Sequence, residues 1–196
     1  MRITAGKFKN KEILSYKDKK GELRPTSSKV RQAVFNLLAH GKFLREVDFI
    51  TEENPNLIQG RIIADIYCGT GIMGFEAASR GAEKLVFVDF NNQTLNVAKK
   101  NAYNINFQQN CYFYNADATR LPKAPISVDV IFMDPPYEMK LAPSTMKSLN
   151  KNCWIKKGGV IIVEHSKKED IAETEQFKLL DVRDYNNTKL SIFKLI

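Results

Sequence analysis

From residue 61 to the C-terminus, short apolar runs alternate with helix-like stretches, and few folds accommodate that order. Residues 61–67 (RIIADIY) read as a buried strand, 71–80 as a helix closed by Gly81, and 84–89 (KLVFVD) as a second strand. Residues 92–104 read as a helix, with Leu95, Ala98 and Ala102 at three- and four-residue spacing. Residues 111–114 are a short third strand. Residues 128–133 (VDVIFM) alternate so little that both faces of this fourth strand are expected to be buried. Residues 140–149 read as a helix, and Gly158-Gly159 opens a fifth strand over 160–164. Residues 177–182 and 188–195 read as a closing antiparallel pair joined by Tyr185-Asn186-Asn187. Strands alternating with helices predict an α/β architecture: a Rossmann-like, doubly wound, mostly parallel seven-stranded sheet with its last strand antiparallel.

The first 60 residues differ. Residues 1–24 are short apolar and basic alternations with turn residues at Gly6, Asn10 and Gly21, which predicts a small β-hairpin arm. Residues 27–39 read as a helix capped by Ser27 or Ser28, with Val30, Val34, Leu37 and Leu38 as its apolar stripe. Residues 41–60 are acidic and irregular and read as a loop or lid edge. The chain divides into a basic N-terminal extension, 1–45, and a main domain, 46–196.

Charge sharpens that division. Residues 1–45 hold 12 Lys and Arg against 3 Asp and Glu, whereas the other 151 hold 18 against 19. The whole excess of +8 therefore sits in the first quarter of the chain. A localised basic surface suits a polyanion, because Lys and Arg give sequence-independent affinity for phosphates. Arg2, Lys7, Lys9, Lys11 and Arg24 are the candidate nucleic-acid contacts. No apolar run reaches the eighteen or so residues that cross a bilayer, and no secretory h-region follows Met1. A cytoplasmic protein without a membrane partner is the expectation. Cys68, Cys111 and Cys153 are odd in number and far apart, so neither a disulfide framework nor a metal site is expected. All three read as small buried hydrophobes. His40, His165 and Trp154 read as packing or surface residues.

Two turns carry the chemistry. The first, Asp65-Ile66-Tyr67-Cys68-Gly69-Thr70-Gly71-Ile72-Met73-Gly74, joins the first strand to the first helix. Glycines there let a ligand approach the backbone, and the helix N-terminus supplies free N–H groups. Gly69, Gly71 and Gly74 match the G-x-G-x-x-G pattern of dinucleotide enzymes. Asp65 argues against a dinucleotide, because a carboxylate repels a pyrophosphate; it suits the ammonium and sulfonium end of S-adenosylmethionine. The chain is also too short for a separate substrate domain. Asp89 ends the second strand, where an acid accepts hydrogen bonds from ribose hydroxyls. Asp117 and Ala118 follow the third strand, where an adenine would sit; Asp117 reads equally as an Asx-type turn residue.

The second turn, Asp134-Pro135-Pro136-Tyr137, follows the fourth strand at the same carboxyl edge. Two prolines fix φ and remove two donors. The Asp134 carboxylate and Pro135 carbonyl can then serve as two acceptors for one amino group, while Tyr137 offers a flat face for stacking a base. An exocyclic amine on a base is a poor nucleophile because its lone pair is delocalised into the ring. Accepting both N–H protons favours a pyramidal nitrogen whose lone pair faces the methyl donor.

The glycine turn and Asp134-Pro135-Pro136-Tyr137 together resemble the amino-methyltransferase group of class I S-adenosylmethionine-dependent enzymes. Arg24-Pro25-Thr26 running into residues 30–38 (VRQAVFNLL) resembles the N-terminal signature of RsmD-type 16S rRNA guanine-N2 methyltransferases. So do Glu76-Ala77-Ala78-Ser79-Arg80-Gly81-Ala82, Glu164-His165, and Arg183-Asp184-Tyr185 with Thr188. The resemblance implies that Asp65, Gly69, Gly71, Asp89 and Asp117 contact the cofactor, and that Asp134, Pro135 and Tyr137 hold the guanine amine. It also implies a monomer acting on ribosomal RNA, within an assembling small subunit. The chain departs from the family at Cys68 and Thr70 (usually Ala and Ser), at Asp89 (usually Glu), at Asn186 (commonly Gly), and in a longer 41–60 segment. The rival readings are an adenine-N6 methyltransferase on DNA or RNA, a glutamine-modifying enzyme, and a non-catalytic RNA-binding assembly factor. Asp134 argues against the glutamine type, which usually carries Asn. The length leaves little room for a DNA target-recognition region, and a binding module has no need of two convergent acceptors.

Overall fold

The computed structural model describes residues 1–18, 21–22, 28–185 and 188–196. Arg24-Pro25-Thr26, Ser27 and Asn186-Asn187 lie outside the described residues. A two-residue antiparallel pair, β1 (Lys17–Asp18) and β2 (Gly21–Glu22), precedes helix α1 (Ser28–His40). The main sheet then forms from β3 (Ile62–Ile66), β4 (Lys84–Asp89), β5 (Cys111–Asn115), β6 (Val128–Met133), β7 (Ile155–Ser166), β8 (Phe177–Tyr185) and β9 (Thr188–Leu195). Helices α2 (Ile72–Ser79), α3 (Asn92–Asn104) and α4 (Ala142–Lys151) connect them.

The strand order is β5-β4-β3-β6-β7-β9-β8. Pairing is parallel from β5 through β7, and β9 runs antiparallel between β7 and β8. The predicted doubly wound sheet with one antiparallel strand is the sheet observed. Its order reverses between β3 and β6, and ligands of such sheets bind in the crevice outside the carboxyl ends of the strands at that reversal. Every residue of β6 is buried, as its unbroken apolar run requires. One apolar layer packs Ile63, Phe87, Phe132 and Ile162 under α1 and α2. The other packs Ile66, Val88, Met133 and Val163 with Met146 of α4 and the fully buried Trp154.

Three expectations are corrected. Gly158-Gly159 does not open β7 but sits inside it. Val128 pairs with Ile155 and Val130 with Val160, so the chain bulges there, and Gly158 (φ 77°) supplies the bend. Residues 41–60 form the loop expected, but a packed one and not a lid edge: after a 3-10 helix (Lys42–Glu46) they bury Phe43, Leu44, Val47, Leu57 and Ile58, and they tie to the sheet through Lys178 and Glu46 at 2.8 Å. Cys153 is exposed, in a left-handed conformation (φ 58°) just after the end of α4; Cys68 is buried and Cys111 partly so.

The basic arm is anchored in the main core. Ile3, Phe8 and Ile13 are buried there. Met1 and Ile13 exchange backbone hydrogen bonds, and an isolated bridge pairs Arg2 with Glu12. The arm is pinned to α2: Glu76 accepts from the Thr4 amide at 2.9 Å and its hydroxyl at 3.0 Å, and Ser79 Oγ accepts from the Phe8 amide at 2.8 Å. Asn101 of α3 clamps Leu14 by donating to its carbonyl and accepting from its amide. The buried face of α1 is Arg31, Val34, Phe35 and Leu38. The predicted stripe missed Phe35 and Arg31, and its Val30 and Leu37 are only partly buried; Glu76 faces Arg31, with 3.5 Å between Arg31 Nε and Glu76 Oε1.

Candidate active site

The glycine turn owes its shape to two steric facts. Gly71, the N-cap of α2, has φ 83°, which an L side chain adopts at a cost. A Cβ on Gly74 would stand 2.4 Å from the Phe87 ring, so only glycine lets α2 lie this close to β4. That closeness brings the Gly74 amide to Asp65, whose Oδ2 accepts from it at 2.9 Å. Asp65 is 5% exposed, and its burial, with the negative charge of Asp89 nearby, pushes its carboxyl up to about 8. A buried carboxyl poised in this way gains most from a cation.

Asp89, at the end of β4, turns back on the same loop. Its Oδ2 accepts from the Gly69 amide and its Oδ1 from the Asn91 amide, each at 2.7 Å. Burial raises its carboxyl too, against these two hydrogen bonds. Asp117 is an Asx-turn residue, with Oδ1 accepting from the Thr119 amide at 2.9 Å and hydroxyl at 2.7 Å. Those hydrogen bonds hold its exposed carboxyl below the usual range. Tyr67 takes a left-handed conformation (φ 62°), and its hydroxyl shares a 2.6 Å hydrogen bond with Thr145 of α4.

The second turn stands beside the first. β3 and β6 are hydrogen-bonded neighbours, with Asp65 opposite Phe132 and Ile66 opposite Met133, so Asp134 follows one step beyond. Pro135 is buried and Pro136 exposed. A single-turn 3-10 helix (Tyr137–Met139) closes the turn, and the Tyr137 hydroxyl donates to Glu164 Oε1 at 3.0 Å.

A cleft of about 1070 Å³ opens over both turns. Asp65, Gly69, Asp89, Asp117, Ala118, Asp134, Pro135 and Tyr137 all line it, so eight residues singled out by sequence share one cavity. Gly71 does not line it, although its neighbours Thr70 and Ile72 do. Arg2, Lys7, Lys9 and Lys11 are not in the cleft; they are exposed on the arm, whose flanking Met1, Ser15 and Tyr16 reach its rim. Arg24 lies outside the described residues. Sequence reasoning missed Phe90, 79% exposed on the cleft wall directly after Asp89, and assigned no role to Glu164, Tyr185 or Thr188, which also line it. Their positions in the resembling blocks were the signal that could have found the last three. His165, by contrast, is buried against Ser191 at 2.8 Å, and burial lowers its imidazole's pKa.

Known proteins share this fold. The family model described as conserved hypothetical protein 95 matches residues 1–194. The protein named ribosomal RNA small subunit methyltransferase D of Haemophilus influenzae is 29% identical over 184 residues, 92% of this chain and 86% of its own. The solved structure of a putative methyltransferase, yhhF, from Escherichia coli superposes with a TM-score of 0.78 at 20% identity, covering 100% of this chain and 97% of that one. An RNA methyltransferase from Salinibacter ruber, solved with S-adenosyl-L-homocysteine, shares the fold with a TM-score of 0.57 at 15% identity, covering 87% of this chain and 93% of that one. With the match running almost end to end, the chain belongs to the family of conserved hypothetical protein 95, the RsmD-type methyltransferases with a class I, Rossmann-like fold.

Proposed function

We propose that this chain transfers a methyl group from S-adenosylmethionine to the exocyclic N2 amine of a guanine in small-subunit (16S) ribosomal RNA. The observation that carries this reading is adjacency: Asp65 and the turn beginning at Asp134 leave neighbouring strands into one cleft. The residues present fit the cofactor. A buried carboxyl with a raised pKa, Asp65, suits a cationic group, and Asp89 keeps acceptor capacity beyond its two backbone hydrogen bonds.

When bound, S-adenosylmethionine supplies an electrophilic methyl on a sulfonium. Asp65 balances the positive end, Asp89 accepts from the ribose, and Asp117 and Ala118 border the adenine. The Asp134 carboxylate and Pro135 carbonyl accept the two N–H protons of the amine and leave its lone pair facing the methyl. Tyr137 stacks on the base, a contact worth about 1–3 kcal/mol. Asp134 would take the proton that the nitrogen releases as it accepts the methyl. Positioning and charge stabilisation supply the rate, with no strong base needed. The exposed cations of residues 1–45 hold the RNA, within an assembling subunit.

Incubation with radiolabelled S-adenosylmethionine and rRNA, or small-subunit particles from a strain lacking the modification, tests this. The expected product after nucleoside analysis is labelled N2-methylguanosine. Label in N6-methyladenosine, or none, overturns the reading.

A further inference from the structure

Glu164 has no part in the chemistry just described, yet it stands in the wall of the same cleft. β6 and β7 are parallel neighbours whose last paired residues are Met133 and Val163, so Asp134 and Glu164 are the next residues on adjacent strands. Glu164 is 8% exposed, and its Oε1 accepts from the Tyr137 hydroxyl at 3.0 Å.

We propose that Glu164 selects the base, by accepting the ring N1–H of guanine. The assignment rests on the methyl-transfer reading and deepens it. The Watson–Crick edge of guanine carries two neighbouring donors, N1–H and the N2 amine, whereas adenine carries its amine beside a bare N1 lone pair. With Asp134 and Pro135 on the amine, a second carboxylate one strand away meets a donor in guanine and a lone pair in adenine. A carboxylate facing that lone pair is repelled, so the site favours the base that offers it a donor. The hydrogen bond to Tyr137 ties the stacking ring to the same carboxylate, so that the plane of the base and its edge are set together.

The test uses particles in which the modified guanosine, once located, is replaced by the 2,6-diaminopurine nucleoside. That base keeps the N2 amine and presents a lone pair at N1. Wild-type protein is expected to favour guanosine by about 10- to 100-fold in kcat/KM, the range of one charge-assisted hydrogen bond. Glu164→Gln still accepts from Tyr137 but can donate to a lone pair, so the preference is expected to collapse or invert, with cofactor affinity by calorimetry unchanged. Glu164→Asp is expected to keep the preference at a lower rate, and Tyr137→Phe to keep it as well. Undiminished preference in Glu164→Gln, or its loss in Tyr137→Phe, overturns this assignment alone. No label on guanosine with wild-type protein overturns the methyl-transfer reading and this assignment with it.

Discussion

The Gly69 amide donates to Asp89 Oδ2 at 2.7 Å, so the acid ending β4 holds the glycine turn that leaves β3. Asp89 therefore serves the cofactor twice in our reading, once as a ribose acceptor and once by fixing the turn. Asp89→Ala removes both and is expected to weaken S-adenosylmethionine binding by about 10- to 100-fold, as for one or two hydrogen bonds to a charged group. Asp89→Asn keeps an acceptor for Gly69 and is expected to lose less. Titration calorimetry decides: parent affinity in the alanine variant refutes the role.

If Asp65 faces the cofactor as proposed, cofactor affinity depends on pH. Its carboxyl, about 8 in the fold against 3.8 ordinarily, stays protonated over a range where the unfolded chain has released the proton. Fold stability from this group therefore falls as pH rises from about 4 to about 8 and is level above that. A bound cation favours the carboxylate, so binding below pH 8 expels a proton. Affinity for S-adenosylmethionine is expected to rise with pH up to about 8, by at most about tenfold per unit for one coupled proton. Asp65→Asn is expected to flatten the profile. A flat profile in the parent sinks the idea.

Asp134→Ala separates chemistry from binding. In the proposed mechanism the variant loses the acceptor that favours the reactive amine, and it is expected to drop in kcat by about 100-fold or more, on the scale of a lost preorganised group. Cofactor affinity is expected to stay at the parent value, because Asp134 follows β6 and not the glycine turn. Parent-like turnover would remove Asp134 from the mechanism.

The sheet was legible because it is written in local apolar runs: β4, α3, β6 and β9 fall on the residues their patterns predict. The two turns were legible because glycine and proline have few other uses at a strand end. What stayed hidden depends on partners far away in sequence. Arg31 breaks an apolar stripe and is buried by Glu76 of another helix. Residues 41–60 look like an acidic loop, yet their scattered Phe43, Leu44 and Leu57 reach the core. Glu164 ends an apolar run like any solvent-facing acid, and only the pairing of β6 with β7 sets it beside Asp134.

The arm offers a test that depends on charge alone. Lys7 and Lys9 are exposed on either side of the buried Phe8, and Lys11 is exposed nearby. Replacing Lys7, Lys9, Lys11 and Arg24 with glutamine is expected to weaken RNA binding. It is also expected to flatten log affinity against log salt, by up to about 0.7–0.9 for each phosphate no longer neutralised. Filter binding across a salt series measures it. An unchanged slope means the RNA does not meet this arm.

Glu76 is the joint between that arm and the helix that follows the glycine turn. Its side chain is fully buried, contacts Arg80 one helical turn on, faces Arg31 of α1, and accepts twice from Thr4. The Arg80 guanidinium lies 4.3 Å over the Phe35 ring, so three segments of the chain meet at one carboxylate. Glu76→Ala leaves two largely buried guanidinium groups facing each other without their shared counter-charge. Breaking a buried ion pair from one side costs about 3–5 kcal/mol, and a loss of that size is expected in denaturant unfolding. Glu76→Gln keeps one acceptor, for the Thr4 amide, but not the charge, so its loss is expected to be smaller. Because α2 begins at the glycine turn, the weakened joint is also expected to lower cofactor affinity in the folded alanine variant. Calorimetry under native conditions, set beside the unfolding data, distinguishes a slackened turn from a merely less stable fold.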